Sequence, residues 1–254
     1  MRRAPLRDAD LATAFDAGAS AYDLLVGRNP GYHENLRLSA ERLGTPGDGA
    51  GLRILDAGCG TGASTAALLS AAPRAEIVGV DAADAMLAQA RAKQWPPGVR
   101  FVHSRIEDLA GAGVRGPFDA IFAAYLCRNL ADPDGQLRAL RELLRPGGTL
   151  LVHDYTSGED AVTRVKWHAV CWGIVIPLAV FHRGGTGLYR HLWRSVAEFD
   201  DAPAFAARLC GAGFTGVRFA TVPGWQRGIE HSFLATRPVE DHAGRPGQVE
   251  ERRA

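Results

Sequence analysis

Lysine is almost missing from this 254-residue chain: Lys93 and Lys166 are the only two, and arginine supplies the rest of its 29 basic residues. Against 28 acidic residues this leaves a net charge of +1, which offers no electrostatic footprint for nucleic acid or for an anionic membrane surface. Cysteines are few and scattered. Cys59, Cys127, Cys171 and Cys210 form no CxxC pair and no metal-ligand spacing, so a disulfide scaffold and a zinc site are excluded and no metal is expected. Long apolar runs are missing too. The longest, Ala169 to Phe181, contains Pro177 and falls well short of the roughly 20 residues that a membrane span needs. The opening MRRAPLRDADLATAF has no apolar stretch of the kind a signal peptide carries. The expectation is a reduced, cytoplasmic enzyme whose length is ample for a core without staples.

What is present is a change of rhythm along the chain. Residues 8–44 read as two helical pieces, split by Gly27, Asn29, Pro30 and Gly31. This N-terminal arm, 1–44, ends in the linker TPGDGAG (45–51). Short apolar runs then alternate with helical patterns. Strands are predicted at 53–57, 76–81, 99–104, 118–124 and 149–155, and helices at 63–72, 83–92 and 134–144, with a short piece near 107–110. That alternation predicts an α/β fold, Rossmann-like and doubly wound, with a mostly parallel seven-stranded sheet. Residues 158–212 read as helices, of which about 158–200 form a cap inserted into a core spanning 45–236. The runs 216–222 and 229–235 predict an antiparallel closing hairpin. The charged tail 237–254 has no apolar rhythm and is expected to be disordered.

The strongest local feature is Asp56-Ala57-Gly58-Cys59-Gly60-Thr61-Gly62, between the first strand and the first crossover helix. Glycines there allow a sharp turn and a close approach of a ligand to the backbone, and the helix start behind them favours negative charge. Alone, the motif also satisfies the dinucleotide pattern through Gly58, Gly60 and Ala63, with Asp81 where a ribose-binding acid belongs.

Asp56 with the rest of the chain separates the two cofactors. DAGCGTG followed by GVDAADAML (79–87) resembles the class I S-adenosylmethionine-dependent methyltransferases. The resemblance implies S-adenosyl-L-methionine as cofactor. It implies that Asp56, Gly58, Cys59, Gly60, Thr61 and Gly62 wrap its methionine part and that Asp81 holds the ribose hydroxyls. Ala82 and Met86 then lie beside the adenine, with Ile106 and Glu107 at the third strand end and Ala124 at the fourth. Arg105 stands where that family often has an acid. Tyr22 is expected to close over the cofactor from the N-terminal helix.

A second resemblance narrows the chemistry. DAIFAAYLCRNLADPDGQLRALRELLRPGGTLLVHDYT (119–156) looks like the ubiquinone/menaquinone-biosynthesis C-methyltransferases, which carry an Arg-Asn pair after strand four and L-(K/R)-P-G-G before strand five. LYRHLWRSVAEF (188–199), AGF (212–214) and FDAGASAYD (15–23) agree with that family, while Val26 replaces an Asn it usually has. The resemblance implies methyl transfer to a ring carbon of a prenylated quinol or similar phenolic acceptor, with Arg128 and Asn129 activating it. His153 and Tyr189 are further catalytic candidates; Asp154 and Tyr155, which end strand five on the same ligand edge as His153, and His168, His182, His191 and His231 rank below them. Two alternatives remain: a C- or O-methyltransferase tailoring a secondary metabolite, and a non-methylating cyclase on the same fold. The partner expected is a lipophilic or aromatic small molecule and no nucleic acid. Peripheral membrane contact through the apolar run 169–181, and a homodimer, are carried as expectations.

Overall fold

A computed structural model describes residues 9–27, 29–158, 160–175, 177 and 186–239. Two helices lead, α1 (Ala9–Gly27) and α2 (Tyr32–Arg42). The alternating region follows as β1 (Arg53–Ala57), α3 (Ala63–Ala71), β2 (Glu76–Asp81), α4 (Asp84–Arg91), β3 (Val99–His103), β4 (Phe118–Ala124), α5 (Pro133–Leu143) and β5 (Leu144–Tyr155). Then come α6 (Ala161–Val170), α7 (Thr186–Glu198), α8 (Ala202–Gly211), β6 (Thr215–Thr221) and β7 (Glu230–Thr236). The seven strands form one sheet in the order β3-β2-β1-β4-β5-β7-β6. Pairing is parallel from β3 to β5, and β7 runs antiparallel between β5 and β6.

Side chains alternate across this sheet and build a core on each face. Leu55, Val78, Val80, Ile121 and Val152 pack with Leu137 and Leu140 of α5 and Phe205 and Leu209 of α8. Ile54, Ile77, Phe122 and Leu151 pack the other way, against Leu36 and Ala40 of α2 and Leu68 of α3. Part of the segment read as an arm is therefore built into one face of the sheet. Asp132 starts α5 by accepting the Gly135 amide at 3.0 Å, with Pro133 in the first turn. The guanidinium of Arg237 closes its other end, donating to the carbonyls of Arg141, Glu142 and Leu144.

Three boundaries differ from the sequence reading. β5 begins at Leu144, because the Pro146-Gly147-Gly148 segment stays extended through a register shift opposite β4 instead of merely stopping a helix. The closing hairpin is offset by one residue, with a short turn at Gly224–Gln226 between its strands. In the apolar run, α6 ends at Val170 and a π-turn covers Cys171–Val175. Residues 176 and 178–181 of that run, and 240–254 of the expected tail, lie outside the described residues.

Candidate active site

The loop after β1 lies at the carboxyl edge of the parallel strands, where open sheets bind ligands. Gly58 has φ +73°, and a Cβ there would press on Leu126 at 3.0 Å. Gly62, at φ +91°, enters α3 where a Cβ would meet the Trp95 ring at 2.7 Å. Both positions demand glycine, one for the turn and one for packing. Behind the loop Asp56 is fully buried. Its Oδ2 accepts from Ser64 Oγ at 2.8 Å and Thr65 Oγ1 at 2.6 Å, while Oδ1 has no partner. Burial pushes this carboxyl up to about 7 against the pull of the two hydroxyls.

Asp81 ends β2 facing the loop. Its Oδ2 accepts from the Gly60 amide at 2.8 Å and its Oδ1 from the Ala83 amide at 2.9 Å. Each oxygen keeps a lone pair, so the locked carboxylate can accept two vicinal hydroxyls. Burial raises it, and the amides of Ala83, Gly60 and Ala82 pull against that.

α1 is fastened over this edge by two carboxylates. Asp16 accepts the Ala85 amide at 2.9 Å in the first turn of α4, where a negative charge suits the helix dipole. Asp23 accepts from the Thr61 hydroxyl and pairs with Lys93 at 2.7 Å; Lys93 also donates to the Thr61 carbonyl at 2.8 Å. The result is a cleft of about 1080 Å³, counted out to its open mouth. Phe15 and Tyr22 of α1, the Gly58–Thr61 loop, Asp81 to Ala83 and Met86 wall one part of it, and Ile106 and Glu107 line it at the end of β3. Glu107 is held by a hydrogen bond from Gln136 Nε2. That space suits a nucleoside-sized ligand together with a second, aromatic one.

The far wall is formed by Ala124, Tyr125, Leu126, Arg128 and Asn129. Arg128 lies in the turn Cys127–Asn129, its side chain only 7% exposed and ion-paired with the wholly buried Asp154 of β5. Its guanidinium stands over the rings of Tyr125 and Tyr155, 5.6 and 5.8 Å from their centroids. Burial works against this charge, but Asp154 outweighs it and leaves Arg128 above its ordinary value. Asn129 Nδ2 donates to the Tyr125 carbonyl at 3.0 Å, and its Oδ1 lies 3.0 Å from His191 Nε2.

Tyr125 itself is unusual, a non-glycine residue at φ +55°. The turn inserts its ring into a column. Tyr32 stacks on it at 5.3 Å, Tyr155 on its other side at 5.3 Å, and Trp167 of α6 lies 5.3 Å beyond Tyr155. The Tyr125 hydroxyl donates to Glu230 at 2.7 Å, a fully buried carboxylate that Asn35 Nδ2 also reaches at 3.3 Å.

Residues 54–148 match the methyltransferase domain family. A demethylmenaquinone methyltransferase of Thermus thermophilus is 33% identical over 201 residues, covering 79% of this chain and 91% of the relative. One of Clavibacter sepedonicus is 28% identical, with 96% of this chain and 97% of the relative covered. The chain belongs to the class I S-adenosylmethionine-dependent methyltransferases. Among solved structures, the cyclase SpnF shares the fold of this methyltransferase at a TM-score of 0.66, with 17% identity and 93% and 98% of the two chains covered.

The methyltransferase's residues fit its cofactor. The free lone pairs that Asp81 turns to the cleft are what a ribose needs. Most residues anticipated for cofactor binding line the cleft: Tyr22, Gly58, Cys59, Gly60, Thr61, Asp81, Ala82, Met86, Ile106, Glu107 and Ala124. Asp56 and Gly62 do not line it; one supports the loop from behind and the other starts α3 against Trp95. Arg128 and Asn129, anticipated as an acceptor-activating pair, both lie on the far wall of the cleft.

His153 is a correction. It is fully buried and does not reach the cleft, because alternation along β5 turns Asp154 toward Arg128 and His153 toward α2. There its Nε2 lies 2.6 Å from Glu230 and its Nδ1 3.3 Å from Ser232 Oγ, which bonds to Ser39. The side chain of Tyr189 lies outside the described residues. Sequence reasoning passed over Tyr125 and Glu230 and gave Asp154 and His191 low rank. Only the position of Asp154 at a strand end on the ligand edge signalled it.

Proposed function

We propose that the methyltransferase places a methyl group on a ring carbon of a phenolic acceptor of the prenylated hydroquinone type. One observation carries this reading. A permanently charged guanidinium, Arg128, is held dry and fixed on the wall of the cofactor cleft, between an ion-pair partner and two aromatic rings. A carbon acceptor becomes nucleophilic when an adjacent hydroxyl gives up its proton. A preorganised cation stabilises the resulting phenolate far better inside such a wall than in water. Arginine cannot act as an ordinary base at neutral pH, so its part is charge stabilisation and orientation. The same charge disfavours cationic amine acceptors.

The bound cofactor supplies an activated methyl on a sulfonium, which leaves the protein to align the partners and exclude water. Asp81 and the loop from Gly58 to Thr61 hold the nucleoside and methionine parts. Tyr22 and Phe15 cover them from α1. Tyr32 and Tyr125 line the same cleft and give it aromatic surface suited to an aromatic acceptor. The names of the quinone-pathway relatives support the same substrate class.

The test is mass spectrometry after incubation with S-adenosylmethionine, using short-chain demethylmenaquinols and simple phenols as a panel. The expected product is an acceptor heavier by one CH2. Methylation confined to unrelated scaffolds points to secondary-metabolite tailoring. Acceptor consumed at unchanged mass points to a cyclase.

A further inference from the structure

Two buried polar atoms beside the Arg128–Asn129 turn have no partner among the described residues: Arg128 Nε and His191 Nδ1. They are opposite in kind. Arg128 Nε carries a hydrogen and can only donate. His191 Nδ1 is an acceptor, and Asn129 makes it so. Because Asn129 Nδ2 is committed to the Tyr125 carbonyl, the atom facing His191 Nε2 at 3.0 Å is the amide oxygen. Nε2 therefore holds the ring proton and Nδ1 a bare lone pair. Burial, with Arg128 and Arg194, pushes the imidazole down to about 4, so the lone pair is free at any physiological pH. His191 is 8% exposed, and its helix α7 packs directly on the Cys127–Asn129 turn.

Leaving a buried donor or acceptor unsatisfied costs about 1–3 kcal/mol, so such atoms invite a ligand explanation. A donor and an acceptor flanking one turn match a hydroxyl, which accepts at its oxygen and donates its hydrogen. A carboxylate has no proton for Nδ1, an ether likewise, and an ammonium is repelled by Arg128. We propose that Arg128 Nε and His191 Nδ1 form the hydroxyl site for the acceptor, Nε donating to its oxygen and Nδ1 accepting its hydrogen. This rests on the phenolic reading above. Asn129 is then a positioning residue that fixes the tautomer.

The test needs no turnover. The complex with S-adenosylhomocysteine is titrated with 1-naphthol and with its methyl ether, 1-methoxynaphthalene, following naphthalene fluorescence. Wild type is expected to prefer the naphthol by at least about tenfold, since a site built for a hydroxyl rejects the analogue lacking it. His191→Phe is expected to bring that ratio to about one, while S-adenosylhomocysteine affinity and the circular dichroism spectrum stay unchanged. His191→Asn sets an amide oxygen near the place of Nδ1, so it keeps the preference. No preference in wild type, or an unchanged ratio in His191→Phe, overturns the proposal. Failure of the whole quinol panel to gain a methyl overturns the phenolic reading instead, and the naphthol ratio does not depend on that result.

Discussion

Asp81 holds two backbone amides with separate oxygens, the geometry on which we propose it as the ribose anchor. Asp81→Ala is expected to weaken S-adenosylmethionine binding by about tenfold or more, each lost charge-assisted bond contributing in the range of 1.5–3 kcal/mol. Calorimetry checks this, and unchanged affinity would remove Asp81 from the role. Asp56 makes a different prediction. Its folded pKa of about 7 lies above its ordinary 3.8, so between those values the folded chain keeps a proton the unfolded chain has lost. Its contribution is full at low pH and is lost as pH rises through 7. Asp56→Asn should therefore gain in melting temperature over wild type from about pH 5 to about pH 8, measured without cofactor. An advantage that shrinks with rising pH would contradict the assignment. Arg128→Ala should retain cofactor affinity while losing turnover, since it lies on the wall proposed to take the acceptor; full activity would remove it from the mechanism.

Elements set these residues in place, and two elements carry predictions of their own. α1 is tied across the glycine loop through Asp16 and Asp23. Asp23→Ala should weaken S-adenosylhomocysteine binding several-fold with the core unchanged, read by calorimetry and far-ultraviolet circular dichroism. β7 delivers Glu230 into the interior, where it meets Tyr125, Asn35 and His153. Removing one member of such a buried set strands the others, so Glu230→Leu is expected to cost about 3–5 kcal/mol in chemical denaturation, and Glu230→Gln much less. Equal effects would show that charge is unimportant there. At this scale the sequence was informative where a pattern is local. Runs such as RILDA and EIVGVD marked β1 and β2, and DAGCGTG marked the turn between β1 and α3. It was uninformative where a partner is remote. Glu230 opens β7 beside the polar His231 and Ser232, and its partners Tyr125 and Asn35 are 105 and 195 residues away. His153 and Asp154 both end β5, and only the sheet decides which of the two faces Arg128.

At the scale of the molecule, a parallel sheet places a cleft at its carboxyl edge, and helix α7 meets that edge at the Cys127–Asn129 turn. Among the described residues no helix is long and apolar enough to cross a membrane. The motifs of the first half made the cofactor chemistry legible from sequence. The surroundings of Arg128 were legible only in the Arg-Asn pair, because Asp154, Tyr125 and His191 reach that pair from three separate elements. The central claim, methyl transfer to a ring carbon beside Arg128, is tested most directly with S-adenosylmethionine labelled with carbon-13 in its methyl group and a short-chain demethylmenaquinol as acceptor. The labelled product is then read by carbon NMR. The label is expected at an aryl methyl in wild type and absent in Arg128→Ala. A label found as a methoxy carbon, or no label in any product of the wild-type reaction, would contradict it.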